Sequence, residues 1–340
     1  MTTFVDAHRS DFNFRAEFIA AAPLAGDILW RDAAGDDVLW LMNNTTPGTV
    51  TPLPRVTPEW HVKATGDFNG NLVIPDSNSN SDILWQNDNG ALVLWLMNGG
   101  TILNVSTLPN PGPTWHVVGD NDFNADADNV RDDILFQNDN GALAMWTTTS
   151  TWAVAAMYAG TQNPGPTWHV VGTGDTDGDG IAGILWRNDS GGLVMWEDPF
   201  LFPGAPGGAP GDLQFLTVAT LPTVNPTWHV KGMADFNHDG RADIVFQNDT
   251  GAVVVAEMGV GGTTIASANL ININPGPAWH IVGLRDMDGD SHADILFQND
   301  NGAAAVWEDY ASLGGGVATF NTVAAITPNP NPNGHMWDLL

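Results

Sequence analysis

Short apolar runs recur along the chain at a near-constant interval, each bounded by Gly, Pro, Asn or Asp, and runs of this length and punctuation read as strands rather than helices. The clearest is Asp27-Ile-Leu-Trp30, followed by Asp82-Ile-Leu-Trp85, Asp133-Ile-Leu-Phe136, Gly183-Ile-Leu-Trp186, Asp243-Ile-Val-Phe246 and Asp294-Ile-Leu-Phe297. Successive starts lie 55, 51, 50, 60 and 51 residues apart, which marks a repeat array. Each run ends in a polar turn, Arg31-Asp32 in the first copy and then Asn87-Asp88, Asn138-Asp139, Asn188-Asp189, Asn248-Asp249 and Asn299-Asp300. The last five continue as x-Gly, a strong hairpin signal. A third apolar run follows, ending in Trp40, Trp95, Trp146, Trp196 or Trp307, with Glu257 in the fifth copy; Trp95, Trp146, Trp196 and Trp307 are candidates for partial exposure.

A weaker fourth run, as in residues 101–105, leads into a Pro-rich connector, and the next unit opens on Trp-His: Trp60, Trp115, Trp168, Trp228 and Trp279. That makes five openings for six second strands. The C-terminal stretch, with Pro332 and Trp337, repeats the opening and then stops. The expected architecture is all-β, a single six-bladed β-propeller of four-stranded antiparallel blades. Its ring is closed by the C-terminal strand joining the N-terminal blade, so that no open edge is left. Residues 1–340 then form one domain, with blade one built from 1–55 plus 333–340 and blades two to six starting near 60, 115, 168, 228 and 279. Residues 199–212, rich in Pro and Gly, read as a surface loop inserted in the fourth unit.

Composition narrows the partners. The 340-residue chain carries a net charge of −29, with Lys63 and Lys231 its only lysines. Phosphate backbones and anionic membranes are repelled by such a surface, so no nucleic-acid partner is expected. No segment is apolar enough to span a bilayer, and membrane insertion is not expected. With no Cys, disulfides and thiolate chemistry drop out. Secretion is the expected compartment although the chain shows no Sec signal, with the cytoplasm as the alternative, and a monomer is favoured over an oligomer. Of the 39 acidic residues 34 are Asp, which suits turns and hard-cation ligands.

The acidic residues concentrate between the first and second strands. In the sixth unit Asp286, Asp288 and Asp290 alternate, followed by a backbone carbonyl at His292 and a closing carboxylate at Asp294. The fifth repeats this as Asp235, Asn237, Asp239, the Arg241 carbonyl and Asp243. Such a turn can supply the roughly six to eight oxygens that Ca²⁺ takes. The fourth unit keeps Asp175, Asp177, Asp179 and the Ile181 carbonyl, but Gly183 replaces the closing Asp, so one ligand is expected to be lost. The third offers Asp122, Asn124 and Asp126 ahead of an insertion. The competing account is that Asp, Asn and Gly here only cap tight turns.

The pattern Gly-Asp-Phe-Asn-x-Asp-Gly-x-x-Asp-Ile-Leu, followed by a polar turn and an apolar strand, resembles the FG-GAP / VCBS repeat family. That resemblance implies β-propellers with calcium loops, as in the integrin α-subunit head. Among single-chain members the sequence is most similar to propeller lectins of the Psathyrella velutina type, which implies glycan sites between neighbouring blades. It departs from that type in having six countable units rather than seven.

A second constellation sits at the other end of each hairpin, where Trp-His opens strand one and Gln/Arg-Asn-Asp ends strand two. It comprises Trp115, His116, Gln137, Asn138 and Asp139 in the third unit, and Trp168, His169, Arg187, Asn188 and Asp189 in the fourth. The fifth and sixth have Trp228, His229, Gln247 and Asn248, then Trp279, His280, Gln298 and Asn299. An aromatic plane beside amides and carboxylates can stack a pyranose and fix its hydroxyls; equally, such Trp residues wedge repeats together and Asn-Asp satisfies turn backbone. No H-E-x-x-H, G-x-S-x-G or phosphate-cradling loop occurs, so an enzyme is not expected. The expected function is a calcium-stabilised lectin binding glycans multivalently. The alternative is a non-enzymatic adhesion or scaffold propeller of a secreted protein that binds protein partners.

Overall fold

The structure is a computed structural model that describes residues 27–32, 34–43, 46–68, 81–124, 131–149, 153–202, 210–326 and 337–339. Every regular element among them is a strand. Repeat one supplies β1 (Ile28–Asp32), β2 (Asp37–Asn43) and β3 (Thr46–Pro52). Repeat two supplies β4 (Trp60–Gly66), β5 (Asp82–Asn87), β6 (Leu92–Asn98) and β7 (Thr101–Leu108). Repeat three has β8 (Trp115–Asn121), β9 (Asp133–Asn138), β10 (Leu143–Thr148) and β11 (Val154–Gly160). Repeat four has β12 (Trp168–Gly174), β13 (Gly183–Asn188), β14 (Leu193–Phe202) and β15 (Gly211–Leu221). Repeat five has β16 (Trp228–Ala234), β17 (Asp243–Asn248), β18 (Val253–Met258) and β19 (Ile265–Ile271). Repeat six has β20 (Trp279–Arg285), β21 (Asp294–Asn299), β22 (Ala304–Gly314) and β23 (Val317–Ile326), before β24 (Trp337–Leu339).

The sheets overturn the expectation of one six-bladed ring of separate four-stranded blades. Among the described residues four sheets form, two of four strands (β24-β1-β2-β3 and β4-β5-β6-β7) and two of eight (β12-β13-β14-β15-β11-β10-β9-β8 and β16-β17-β18-β19-β23-β22-β21-β20). In each large sheet the fourth strands of two repeats run parallel, joined through Tyr158↔Gly211 to Gly160↔Leu213 and through Leu270↔Val317 and Ile271↔Ala318. Each is nearly closed on itself, because its end strands lie side by side, β8 by β12 and β16 by β20. The result is two propeller-like units of two repeats each, with two smaller sheets.

Hairpin length is the physical reason. The strands β14 and β15 have 10 and 11 residues and β22 and β23 have 11 and 10, against 7 and 8 for β6 and β7. The long hairpins carry a fourth strand out to the neighbouring fourth strand, whose edge N–H and C=O groups would otherwise lack strand partners. The same extension corrects the expected Pro/Gly loop at 199–212, since β14 runs to Phe202 and β15 starts at Gly211. Residues 203–209, 1–26 and 333–336 lie outside the described residues. The strand β24 pairs antiparallel with β1, from Trp30↔Leu339 to Asp32↔Trp337.

Burial explains the apolar pattern. Second strands read as continuous buried runs, such as BBBBBi in β5, β9 and β17, because both faces are covered. The buried side chains form clusters shared by successive repeats: Phe123, Leu135 and Met145 pack with Val170, Ile184 and Trp186, and Ile28 and Trp30 with Met287 and Val306. Within a repeat the second-strand aromatic tilts against the third-strand Trp, at 5.2 Å for Trp30/Trp40, 4.9 Å for Trp85/Trp95 and 4.6 Å for Phe136/Trp146. Trp95, Trp146, Trp196 and Trp307 are therefore buried, not partly exposed.

The buried glutamine near the end of the second strand ties each repeat to the next. The Gln247 amide donates to the Trp279 carbonyl (2.8 Å) and accepts from the Ile281 N–H (3.0 Å). Gln137 does the same to Trp168 and Val170, and Gln86 to Trp115 and Val117. Replacing Gln247 with Leu strands two backbone groups, so the expected loss is roughly 1–3 kcal/mol in urea-unfolding free energy. A change within a few tenths of a kcal/mol would show that water replaces the amide at no cost.

Candidate functional site

The Asp loops span the gap between paired ends of the first and second strands, Gly174↔Gly183, Ala234↔Asp243 and Arg285↔Asp294. Their carboxylates fold the backbone around themselves. Asp175 accepts the N–H groups of Gly178 and Gly180 (both 2.7 Å), Asp177 accepts that of Asp179 (3.1 Å), and Asp179 that of Ile181 (2.8 Å). In repeat six Asp286 accepts from Gly289 and Ser291, Asp288 from Asp290, and Asp290 from His292. The bend needs left-handed backbone at the fourth and sixth loop positions, where Gly178 and Gly180 have φ of 85° and 86°, and where repeat six holds Gly289 and, at 71°, Ser291.

Two contacts make these loops rigid. The second loop residue, Phe68, Phe123, Thr176, Phe236 or Met287, is fully buried in every described copy. A late backbone N–H of each loop donates to the first Asp carbonyl of the preceding repeat: Asp132 to Asp67, Ala182 to Asp122, Ala242 to Asp175 and Ala293 to Asp235, at 2.7–2.9 Å. His292 Nδ1 lies 3.0 Å from the Phe236 carbonyl and His238 Nδ1 lies 2.9 Å from that of Ser291, so adjacent loops also share side chains.

The loops differ in what they offer a cation. In repeats four and six, Asp175, Asp177 and Asp179, and likewise Asp286, Asp288 and Asp290, bring oxygens within 4.8 Å of one another. Asp294 is fully buried, and its Oδ1 has no hydrogen-bond partner among the described residues. That orphaned oxygen beside three convergent carboxylates fits a hard divalent ion. In repeat five Asn237 stands in the middle position, Asp239 is ion-paired to Arg241, and both oxygens of Asp243 accept backbone N–H groups, from Met258 (2.9 Å) and Phe236 (3.2 Å). In repeat three Asn124 Nδ2 donates to Asp133 (2.8 Å), and Asp122 accepts the Asn124 N–H (3.1 Å); Asp126 lies outside the described residues.

At the opposite end, Trp168 pairs with Asn188 and Trp115 with Asn138, so the second constellation does assemble. It divides by role. The amides of Gln137 and Gln247 are committed to the next repeat, as described above. Asn138, Asn188, Asn248 and Asn299 accept N–H groups within their own turns, for example Gly192 to Asn188 at 2.8 Å. Arg187 donates to the Asn225 carbonyl, and Gln298 lies at the end of β21. The groups left facing solvent are His-Asp pairs: His61/Asp88, His116/Asp139, His169/Asp189, His229/Asp249 and His280/Asp300, with Nε2 to Oδ1 distances of 2.7–3.0 Å. Asp249 and Asp300 join the constellation by geometry, although the sequence reading named the Asp only in the third and fourth units. A constant separation of 20 residues from His in repeats four to six could have found them.

The half-buried faces of Trp115, Trp168, Trp228 and Trp279 lean on the core clusters. Between repeats three and four a cleft of about 170 Å³ brings His116 and Asp139 opposite Trp168 and His169, with Gly141 and Pro166 in its wall.

Burial pushes Asp243 up to about 8 and Asp294 up to about 9. In metal-free protein their contribution to stability is present below the ordinary carboxylate pKa of about 4 and is lost as pH rises through the folded values. The melting temperature in chelator should therefore fall between about pH 4 and 9, and millimolar calcium, which needs the ionised form, should offset the fall increasingly toward high pH. A chelated protein that becomes more stable over this range, or a melting curve blind to calcium throughout, would contradict the assignment.

Residues 235–297 match the FG-GAP-like repeat family. No curated protein matches the chain. Among solved structures it is similar to YCF48 from Cyanidioschyzon merolae, at 13% identity and a TM-score of 0.44 over 88% of this chain and 85% of that one. It is also similar to a chain of a crystal structure of the mitotic checkpoint complex, at 12% identity and a TM-score of 0.44 over 89% and 82%. The matched segment opens on the fifth Asp loop, in a chain of propeller-like build.

Proposed function

We propose that this protein is a calcium-stabilised, non-enzymatic carbohydrate-binding protein, with calcium in the Asp loops and glycans at the opposite ends of the hairpins. The observation that carries the reading is the cleft between repeats three and four, where an aromatic face meets an exposed His-Asp pair. Its volume, about 170 Å³, is below the roughly 300–1,000 Å³ of drug-sized sites and suits a single sugar ring. Trp168 would stack the apolar face of that ring while Asp139, His116 and His169 receive its hydroxyls. Repetition of the His-Asp pair suits weak sites that act together on a dense glycan surface. Secretion is part of this reading. No helix among the described residues is long and apolar enough to cross a membrane.

A second reading, a scaffold that docks proteins, draws on apolar side chains exposed along the fourth strands. Leu103 and Leu216 are 61% and 65% exposed, with Val105 and Val218 beside them in their strands, and Val323 is exposed in β23.

A glycan array with and without calcium separates the two readings. Binding to a defined monosaccharide class is expected, with Trp168→Ala weakening it roughly tenfold and Asp139→Asn weakening it less. Absence of binding to any glycan under both conditions, with a folded protein, would remove the lectin reading and leave the scaffold.

A further inference from the structure

We infer that the glutamate directly after the third-strand tryptophan supplies a carboxylate oxygen to the cation of the Asp loop in repeats six and four. Glu308 does so beside Asp294, and Glu197 does so in place of the Asp missing at position 183. The inference rests on the calcium reading above and adds residues that lie outside the loops.

Register brings them there. Ile295 pairs with Trp307 and Ile184 with Trp196, so the next residues outward set Glu308 opposite Asp294 and Glu197 opposite Gly183 on one face of the sheet. Glu308 is only 6% exposed, and its Oε1 has no hydrogen-bond partner among the described residues. The charges acting on it include Asp288 and Asp290 of the loop, together with Asp309. A buried carboxylate held against other carboxylates is unfavourable without a cation. A divalent ion in the loop relieves the orphaned oxygens of Glu308 and Asp294 together.

Repeat four reaches the same arrangement by substitution. Glu197 is 2% exposed, and a side chain at Gly183 would collide with both of its carboxylate oxygens. The Glu197 carboxylate thus fills the space that a closing Asp takes in the other repeats. The second loop residue follows suit. The N–H groups of Phe236 and Met287 donate to Asp243 and Asp294, whereas in repeat four the Thr176 hydroxyl donates to Glu197. Thr176, Gly183 and Glu197 are a matched set, and the loop of repeat four has moved a ligand rather than lost one. Repeat five is the internal contrast, since Glu257 is held by Ser267 (2.8 Å), Asn269 (2.9 Å) and Tyr310 (2.8 Å).

The test is calcium titration calorimetry of the full chain with melting curves in calcium and in chelator. Glu308→Gln and Glu197→Gln should each remove one calcium from the stoichiometry, or weaken one site about tenfold or more, and shrink the calcium-dependent rise in melting temperature. Glu257→Gln should lower the melting temperature equally with and without calcium and leave the stoichiometry unchanged. Gly183→Asp alone should lose the repeat-four site to collision, and Gly183→Asp with Glu197→Leu should recover it. Wild-type stoichiometry, affinity and calcium response in both Glu→Gln variants would overturn the inference. A wild type that binds no calcium would instead overturn the reading on which it rests.

Discussion

In repeats two, three and five the second strand buries one polar group at its start and another near its end, and much of the structure is arranged to satisfy the two. At its start, Asp82, Asp133, Asp243 and Asp294 are almost wholly removed from solvent. Near its end, so are Gln86, Gln137 and Gln247. Neither can be left alone there, because a buried amide or carboxylate without partners loses its hydration uncompensated. The glutamines are satisfied by the backbone of the next repeat, which fixes how successive sheets stack. Asp243 is satisfied by its own loop and by the third strand, and Asp294 only in part. The same demand therefore produces the packing at one end and, in repeat six, leaves a buried carboxylate oxygen without a hydrogen-bond partner among the described residues at the other.

The stacking explains why the two candidate sites stay apart. Loop N–H groups bond back to the preceding Asp carbonyl while glutamines bond forward to the next first strand. Each repeat is held at both ends, and the hairpin between them acts as a spacer. The Asp loops and the cleft therefore lie at opposite ends of the hairpin. At the cleft end His116, His169 and His229 are exposed and pair with Asp139, Asp189 and Asp249.

Much of this was legible in the chain. The period, the strand boundaries, the hairpin turns and the loop geometry follow from local chemistry: Asn-Asp-x-Gly turns, Gly at left-handed positions and alternating Asp. Other features were not. Asn138 and Gln137 look alike as ligand candidates, yet one caps its own turn and the other reaches a neighbouring strand, and only the packing separates them. The glutamates behind the loops carry no local signature, because their meaning comes from a cross-strand partner.

By itself the sequence determined an all-β repeat with acidic loops at one end and Trp-His at the other, since periodicity, turn chemistry and charge are properties of neighbouring residues. Tertiary structure alone decided how the strands gather into sheets and which side chains share a site. Sheet membership hung on whether a fourth strand extends far enough to meet another repeat, as β15 meets β11. Site membership hung on register, which sets Glu308 against Asp294 and leaves Glu257 facing Tyr310. Both are relations between residues distant in the chain, and a run of sequence holds no record of them until the backbone has folded.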